Sequence, residues 1–281
     1  MNEDTDIAYY IYGFCRTGTR IVLSAGIDAE KPPEPWPVLG GISAILSQVR
    51  RADFSGPDGE TNLGNLAWIA PRVIHHQSVL EEAMRFGPVF PARFGTLFSS
   101  MEKLEAFLAT CTPTISAFLD DIRDHEEWSV QGFMDSEVSE QVWTAGKRAQ
   151  IHSQPGITPG MAYMMEERMR ADMKQELGDW IIAKSACLLD LLSPLATESC
   201  ERRLLPDDTP GGTRDMVSNW AFLVPKQNVT GLRTCVELIS HECEAHGLTF
   251  KMTGPWPPYS FCPSLAPETS DAETSMQRGD E

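Results

Sequence analysis

The sequence has no CxxC pair, and its seven cysteines (Cys15, Cys111, Cys187, Cys200, Cys235, Cys243, Cys262) are odd in number and scattered. That pattern argues against paired zinc ligands or a disulfide framework. It predicts small buried hydrophobes in a reducing cytosol. HExxH, P-loop and GxSxG patterns are missing too, which removes the common metalloprotease, nucleotide and nucleophile-elbow signatures. Basic residues are few. Against 40 Asp and Glu stand 23 Lys and Arg, giving a formal net charge of −17 and a pI of about 4.7. No basic stripe offsets this surface, so neither nucleic acid nor an anionic membrane is expected as a partner. Long hydrophobic runs are absent as well. The most apolar stretch, 180–196, is broken by Lys184, Asp190 and Pro194, so no membrane insertion is expected. The first residues, MNEDTDIAYYIYGF, are acidic where a secretory leader is basic, which points to a cytoplasmic location.

What is present is a globular composition, 42% hydrophobic and 22% charged over 281 residues, long enough for two domains. The expected fold class is α+β. An α+β N-terminal domain over 1–125 would precede a ferredoxin-like C-terminal domain over 126–253. An extended Pro/aromatic tail follows over 254–263, and an acidic, disordered extension over 264–281. In the first half, strands are expected over 7–14, 20–24 and 42–49, with a proline-rich loop over 31–37 and another loop over 53–64. Two helices follow over 63–70 and 72–86, Pro71 suiting the first turn of the second. A capping-box spacing at Ser99–Glu102 opens an amphipathic helix. Its apolar face is Leu104, Phe107, Leu108, Cys111, Ile115, Phe118, Leu119 and Ile122, with a kink or break at Pro113.

In the second half, a strand over 128–133 and a short helix over 137–148 lead to a loop over 153–156. Thr158 and Pro159 then cap and start a long helix to Leu192. A strand over 201–205, a turn over 206–212 and a strand over 216–224 come next. Asn228 caps a helix with the face Leu232, Cys235, Val236, Ile239 and Cys243, ended by Gly247 before a last strand over 248–252. Strand, helix, strand, strand, helix, strand is the split βαβ order of ferredoxin-like folds.

Candidate chemistry is sparse. His75 and His76 near Glu81 and Glu82 invite a metal, but helical neighbours point about 100° apart, so His76 reads as a hydrogen-bonded core or boundary histidine. Arg93-Phe94-Gly95-Thr96 could bend around an anion. The favoured reading is structural, with Arg93 bridging backbone carbonyls and Phe94, Gly95 and Trp128 as framework. Asp120, Asp121, Asp124, Glu126 and Glu127 read as a solvated helix end. No catalytic residue, metal ligand or cofactor is expected. Two features bear on protein binding: a methionine row, which also reads as a loosely packed core edge, and a stiff aromatic segment, suited to packing on the protein's own surface or to completing a partner site. Met161, Met165, Met169 and Met173 recur every four residues, with Met164 alongside, on one side of the long helix, and methionine adapts to varied apolar partners. In Thr253–Phe261, three prolines stiffen a segment that carries Trp256, Tyr259 and Phe261.

The segment GPWPPYSF after a closing strand is very similar to the C-terminal signature of the GvpL/GvpF family of gas vesicle proteins. Further matches occur in the family's order: Tyr10-Ile11-Tyr12-Gly13, then His76 with Val79-Leu80 and Ala83, then Pro91, Arg93-Phe94-Gly95-Thr96-Leu97-Phe98 and Glu127-Trp128. The resemblance covers about residues 7–261. It implies an α+β domain followed by a ferredoxin-like domain, no enzymatic activity, and a role in building gas vesicles, shells made of a small hydrophobic subunit. Expected partners are that shell protein and other gas vesicle accessory proteins. The leading reading is a carrier or assembly factor that binds the shell subunit. The alternatives are a minor structural component of the shell and a small-molecule enzyme using Arg93 and the histidines.

Overall fold

The computed structural model describes residues 6–28, 32–152, 158–205 and 214–265. The turn expected over 206–212, the loop over 153–156 and the acidic extension beyond 265 lie outside them. The chain mixes helix and sheet and folds as two compact units, one built on Met1–Arg123 and one on Asp124–Phe261.

In the first unit, β1 (Ile7–Arg16), β2 (Glu34–Leu39), β3 (Ile42–Arg50) and the short β4 (Phe90–Pro91) form a sheet in the order β2-β3-β1-β4. The two-residue β5 (Leu97–Phe98) also pairs with β1. Three helices accompany it: α1 (Gly56–Leu63), α2 (Leu66–Met84) and α3 (Met101–Asp121). The register of β1 slips between Ile11 and Gly13. Tyr10, before the slip, and Tyr12, within it, meet His76 of α2, while Phe14, after it, meets Phe107 of α3. An extra residue in a strand turns later side chains toward the other face.

Several expectations are corrected here. Residues 20–24 are not a strand; the Ser24 N–H and Oγ instead donate to the Glu82 carboxylate at 2.8 and 2.7 Å. Of the proline-rich stretch taken for a loop, residues 34–37 belong to β2. Pro35 and Pro37 share one parity on an edge strand, so their nitrogens can point away from β3. The loop over 53–64 contains α1, started by Pro57 in its first turn. The two helices around Pro71 are one helix, capped by Asn65, which accepts from the Ala67 N–H at 3.0 Å. Pro113 does not split α3. Both prolines lie on exposed turns, where water can satisfy the carbonyls they leave unpaired. The α3 stripe is core, with Leu104, Leu108, Ile115 and Leu119 fully buried.

The second unit's sheet is antiparallel, in the order β7-β8-β6-β9, from β6 (His125–Asp135), β7 (Glu198–Glu201), β8 (Arg214–Pro225) and β9 (Leu248–Trp256). Its helices are α4 (Ser136–His152), α5 (Pro159–Leu192) and α6 (Val229–Glu244). Trp128 and Val130 of β6 and Phe222 and Val224 of β8 pack with Leu188 and Leu192 of α5 and Leu232 and Val236 of α6. Alternation along β6 therefore turns Glu127 and Ser129 to the opposite face, where both are buried. Thr158 caps α5 as expected, accepting from the Met161 N–H at 3.4 Å. Asn228 does not cap α6; its amide donates to the Leu195 carbonyl at 3.0 Å. The strand expected over 201–205 falls earlier, as β7, and β9 runs on to Trp256, so Gly254-Pro255-Trp256 belongs to the sheet. Of the cysteines, Cys15, Cys111 and Cys243 are buried, whereas Cys187 is exposed and the other three are half-buried.

Candidate functional site

The methionine stripe does not keep to one side of α5. A spacing of four overshoots a 3.6-residue turn by about 40°, so three steps carry Met173 about 120° round from Met161. Burial follows that drift. Met161 is 54% exposed and Met165 37%, Met169 is half-buried, and Met173 is 7% exposed. Met164 and Tyr163 stand out further, at 74% and 65%. The helical angles of Met161, Tyr163, Met164 and Met165 cover most of the circumference, and residues 158–165 carry no charge. The first two turns of α5 are thus apolar on nearly every side and exposed. Among helices, that composition belongs to buried ones.

The tail residues sit elsewhere. Trp256 ends β9 opposite Glu127, half-buried, its Nε1 donating to Thr253 Oγ1 at 3.1 Å. Pro257 and Pro258 are buried, Tyr259 is exposed and Phe261 half-buried. Gly254 is required where it stands. Its φ is +139°, and a Cβ there would meet the Glu127 carbonyl and the Trp128 ring at 3.0 Å each. Trp128 is buried, donates from Nε1 to Glu126 at 3.0 Å and lies under the Arg233 guanidinium.

Glu127 overturns the reading of the acidic run as a solvated helix end. Its side chain has no exposed surface, and it pairs with Arg202. It also accepts from the Ser260 N–H at 3.0 Å and Ser260 Oγ at 2.8 Å. Burial pushes its pKa up, against the pull of Ser260 and Arg202. In the same run, Asp120 is held below the usual carboxylate range by hydrogen bonding to Arg16.

In the first unit, His76 is a core histidine. Its Nδ1 lies 2.8 Å from the Tyr10 hydroxyl and its Nε2 3.1 Å from the Ala92 carbonyl. Burial lowers its pKa to about 4, so the ring is neutral at pH 7. Arg93 does not bridge carbonyls with its guanidinium in any bond found among the described residues. It is exposed, and the turn is closed by its own carbonyl, which accepts from the Thr96 N–H at 3.2 Å and Thr96 Oγ1 at 2.7 Å. Gly95 supplies that turn's positive φ, +83°, and its N–H donates to the Tyr10 hydroxyl at 3.2 Å. Phe94 packs edge-on to Tyr10 and His76. Among the described residues, no group of three or more His, Cys, Asp or Glu side chains is placed to hold a metal ion.

Residues 8–263 match the profile of the family described as gas vesicle synthesis protein GvpL/GvpF. The chain belongs to the GvpL/GvpF family. Gas vesicle protein F of Nostoc sp. is 26% identical over 242 residues, covering 82% of this chain and 94% of that protein. Gas vesicle protein L2 of Halobacterium salinarum is 25% identical over 201 residues, covering 69% of this chain and 71% of that one. The crystal structure of GvpF from Anabaena sp. superposes with a TM-score of 0.63 at 21% identity, covering 92% and 97% of the two chains, and so shares the fold.

The segments that carry the GvpL/GvpF resemblance now have physical roles. Tyr10, His76 and the Arg93–Thr96 turn form one hydrogen-bonded cluster, and Glu127-Trp128 meets the GPWPPYSF segment. Arg202 escaped sequence reasoning. An arginine just after a strand gives no signal of a carboxylate 75 positions earlier.

Proposed function

We propose that this protein is a gas vesicle accessory protein that binds the hydrophobic shell subunit and supports vesicle assembly, without catalysis, in the cytoplasm and at gas vesicles. The observation that carries this reading is the exposed, charge-free, apolar start of α5. A surface of that kind on a soluble, acidic chain is suited to gripping an apolar partner. Family membership supports the shell protein as that partner, with other gas vesicle accessory proteins as further contacts. We also infer an α+β domain over 1–125 followed by a ferredoxin-like domain over 126–253; the sheet order β7-β8-β6-β9 supports the second assignment. Among the described residues no helix is long and apolar enough to cross a membrane.

Capture of the shell subunit tests the reading. Replacing Met161 and Met164 together by Glu should abolish capture while leaving Tm nearly unchanged. Capture at wild-type affinity by the folded double variant would place the site elsewhere, and no affinity of the wild type for any gas vesicle component would end the reading. A second reading, a minor component of the shell, is favoured by another apolar surface. Leu66, Val73 and Ile74 of α2 are exposed, in a stretch, 61–80, without a single acidic residue. Retention on purified vesicles through detergent-free washing would favour it over a carrier.

A further inference from the structure

The chain has 12 methionines, and their exposure is uneven. Among the described residues, the exposed ones are Met161, Met164 and Met165, all close together at the start of α5. Met134 and Met173 are buried, and Met84, Met101, Met169, Met216 and Met252 are half-buried. An oxidant dissolved in water reaches a thioether sulfur only where the side chain meets solvent. The cluster on α5 therefore stands apart in reactivity as well as in place. Residues 158–165 include no Lys, Arg or His that could donate to a new oxygen. A sulfoxide there adds a polar S=O group to a surface whose apolar character is its binding quality.

We propose that Met161, Met164 and Met165 form a reversible oxidation site that switches the apolar start of α5 between a binding and a non-binding form. This rests on the reading that the same surface grips the shell subunit. The oxidant is a hydroperoxide. A sulfur lone pair attacks the hydroxyl-bearing peroxide oxygen, an S–O bond forms, and the O–O bond breaks. Sulfur gives up two electrons, and the other oxygen leaves as water or an alcohol, taking the proton of the attacked one. Against an apolar partner each sulfoxide oxygen is buried without a donor, which weakens the complex. The fold is spared, because these three side chains are exposed, while Met173, which packs, is shielded. Sulfoxide reductases, one for each epimer, restore the thioethers.

Hydrogen peroxide treatment of the full-length protein tests this, read by peptide mass spectrometry and by capture of the shell subunit. A thiol reductant added before capture restores reversibly oxidised cysteines, the exposed Cys187 included, and leaves sulfoxides in place. Met161, Met164 and Met165 should gain oxygen on the order of tenfold faster than Met134 and Met173. Capture should then fall by roughly tenfold with Tm nearly unchanged, and return once the two reductases have acted. Combining Met161→Leu, Met164→Leu and Met165→Leu keeps the apolar volume and removes the oxidisable sulfur. Capture by that variant, whatever its starting level, should not respond to peroxide. Equally fast oxidation of Met134 and Met173, full oxidation of the three without loss of capture, or an equal loss in the leucine variant would each overturn the switch. If the untreated wild type does not capture the shell subunit, the proposed function fails by itself. Retention on a butyl matrix then still reads the switch, and retention unchanged by oxidation would overturn it.

Discussion

Two helices of this chain carry apolar repeats, and only one of the repeats is buried along its whole length. In α3 the intervals alternate between three and four, so that Leu104 and Ile122, about five turns apart, lie on one line of the helix. Every member from Leu104 to Ile122 is buried except the half-buried Phe107. In α5 the methionines keep a strict interval of four, and the row drifts from exposed at Met161 to buried at Met173 within three steps. The residue count alone does not separate core from surface. The period does, because a helix presents one face to its sheet and only a 3.6-residue mean stays on it.

The comparison can be broken by truncation, read by denaturant midpoints. Leu108→Ala in α3 and Met173→Ala at the buried end of the α5 row should each cost about 2–5 kcal/mol. Equal costs for Met161 and Met173 would show that drift does not govern burial.

A third helix sharpens it through pH. The core face of α2 is His76, Val79, Leu80 and Ala83, again at mixed intervals. His76 has a folded pKa of about 4, below its ordinary 6.5, so between those values the unfolded chain binds more protons. Its contribution is therefore complete above pH 6.5 and is lost as pH falls toward 4, by up to about 3 kcal/mol. Urea midpoints at pH 7 and 4.5 should converge less in wild type than in His76→Gln, once the shared acid response is subtracted; parallel curves would deny the burial. Met169→Ala, half-buried, should cost about 1 kcal/mol by the same midpoints. Met161→Ala and Met164→Ala should stay within about 0.5 kcal/mol, and a larger loss at either would mean that the start of α5 is covered within the chain.

The α3 face, the long α5 with its Thr158 cap, and the core role of His76 were legible because each depends on residues within a few turns. The strand nature of 34–39 was not. Proline signals a loop locally, and only a neighbour on one side, β3, makes Pro35 and Pro37 tolerable in a strand. Glu127 was hidden for a related reason. Its neighbours in sequence are acidic, while the groups that neutralise it, Arg202 and Ser260, lie 75 and 133 positions away. The methionines were visible as a repeat, but their gradient of exposure needed the drift angle as well as the spacing.

The prolines of β2 have one more consequence. Sheet growth needs a free row of N–H and C=O groups on the last strand, and at positions 35 and 37 that row has no hydrogens to offer. An incoming strand would find carbonyls without their alternating donors and could not zip along them. Trp36 and Leu39 remain exposed on this strand, a pairing of apolar surface with an open border that elsewhere invites fibrils. Here the border is chemically blunted. The edge of the sheet thereby avoids becoming a seed for the chain's own stacking.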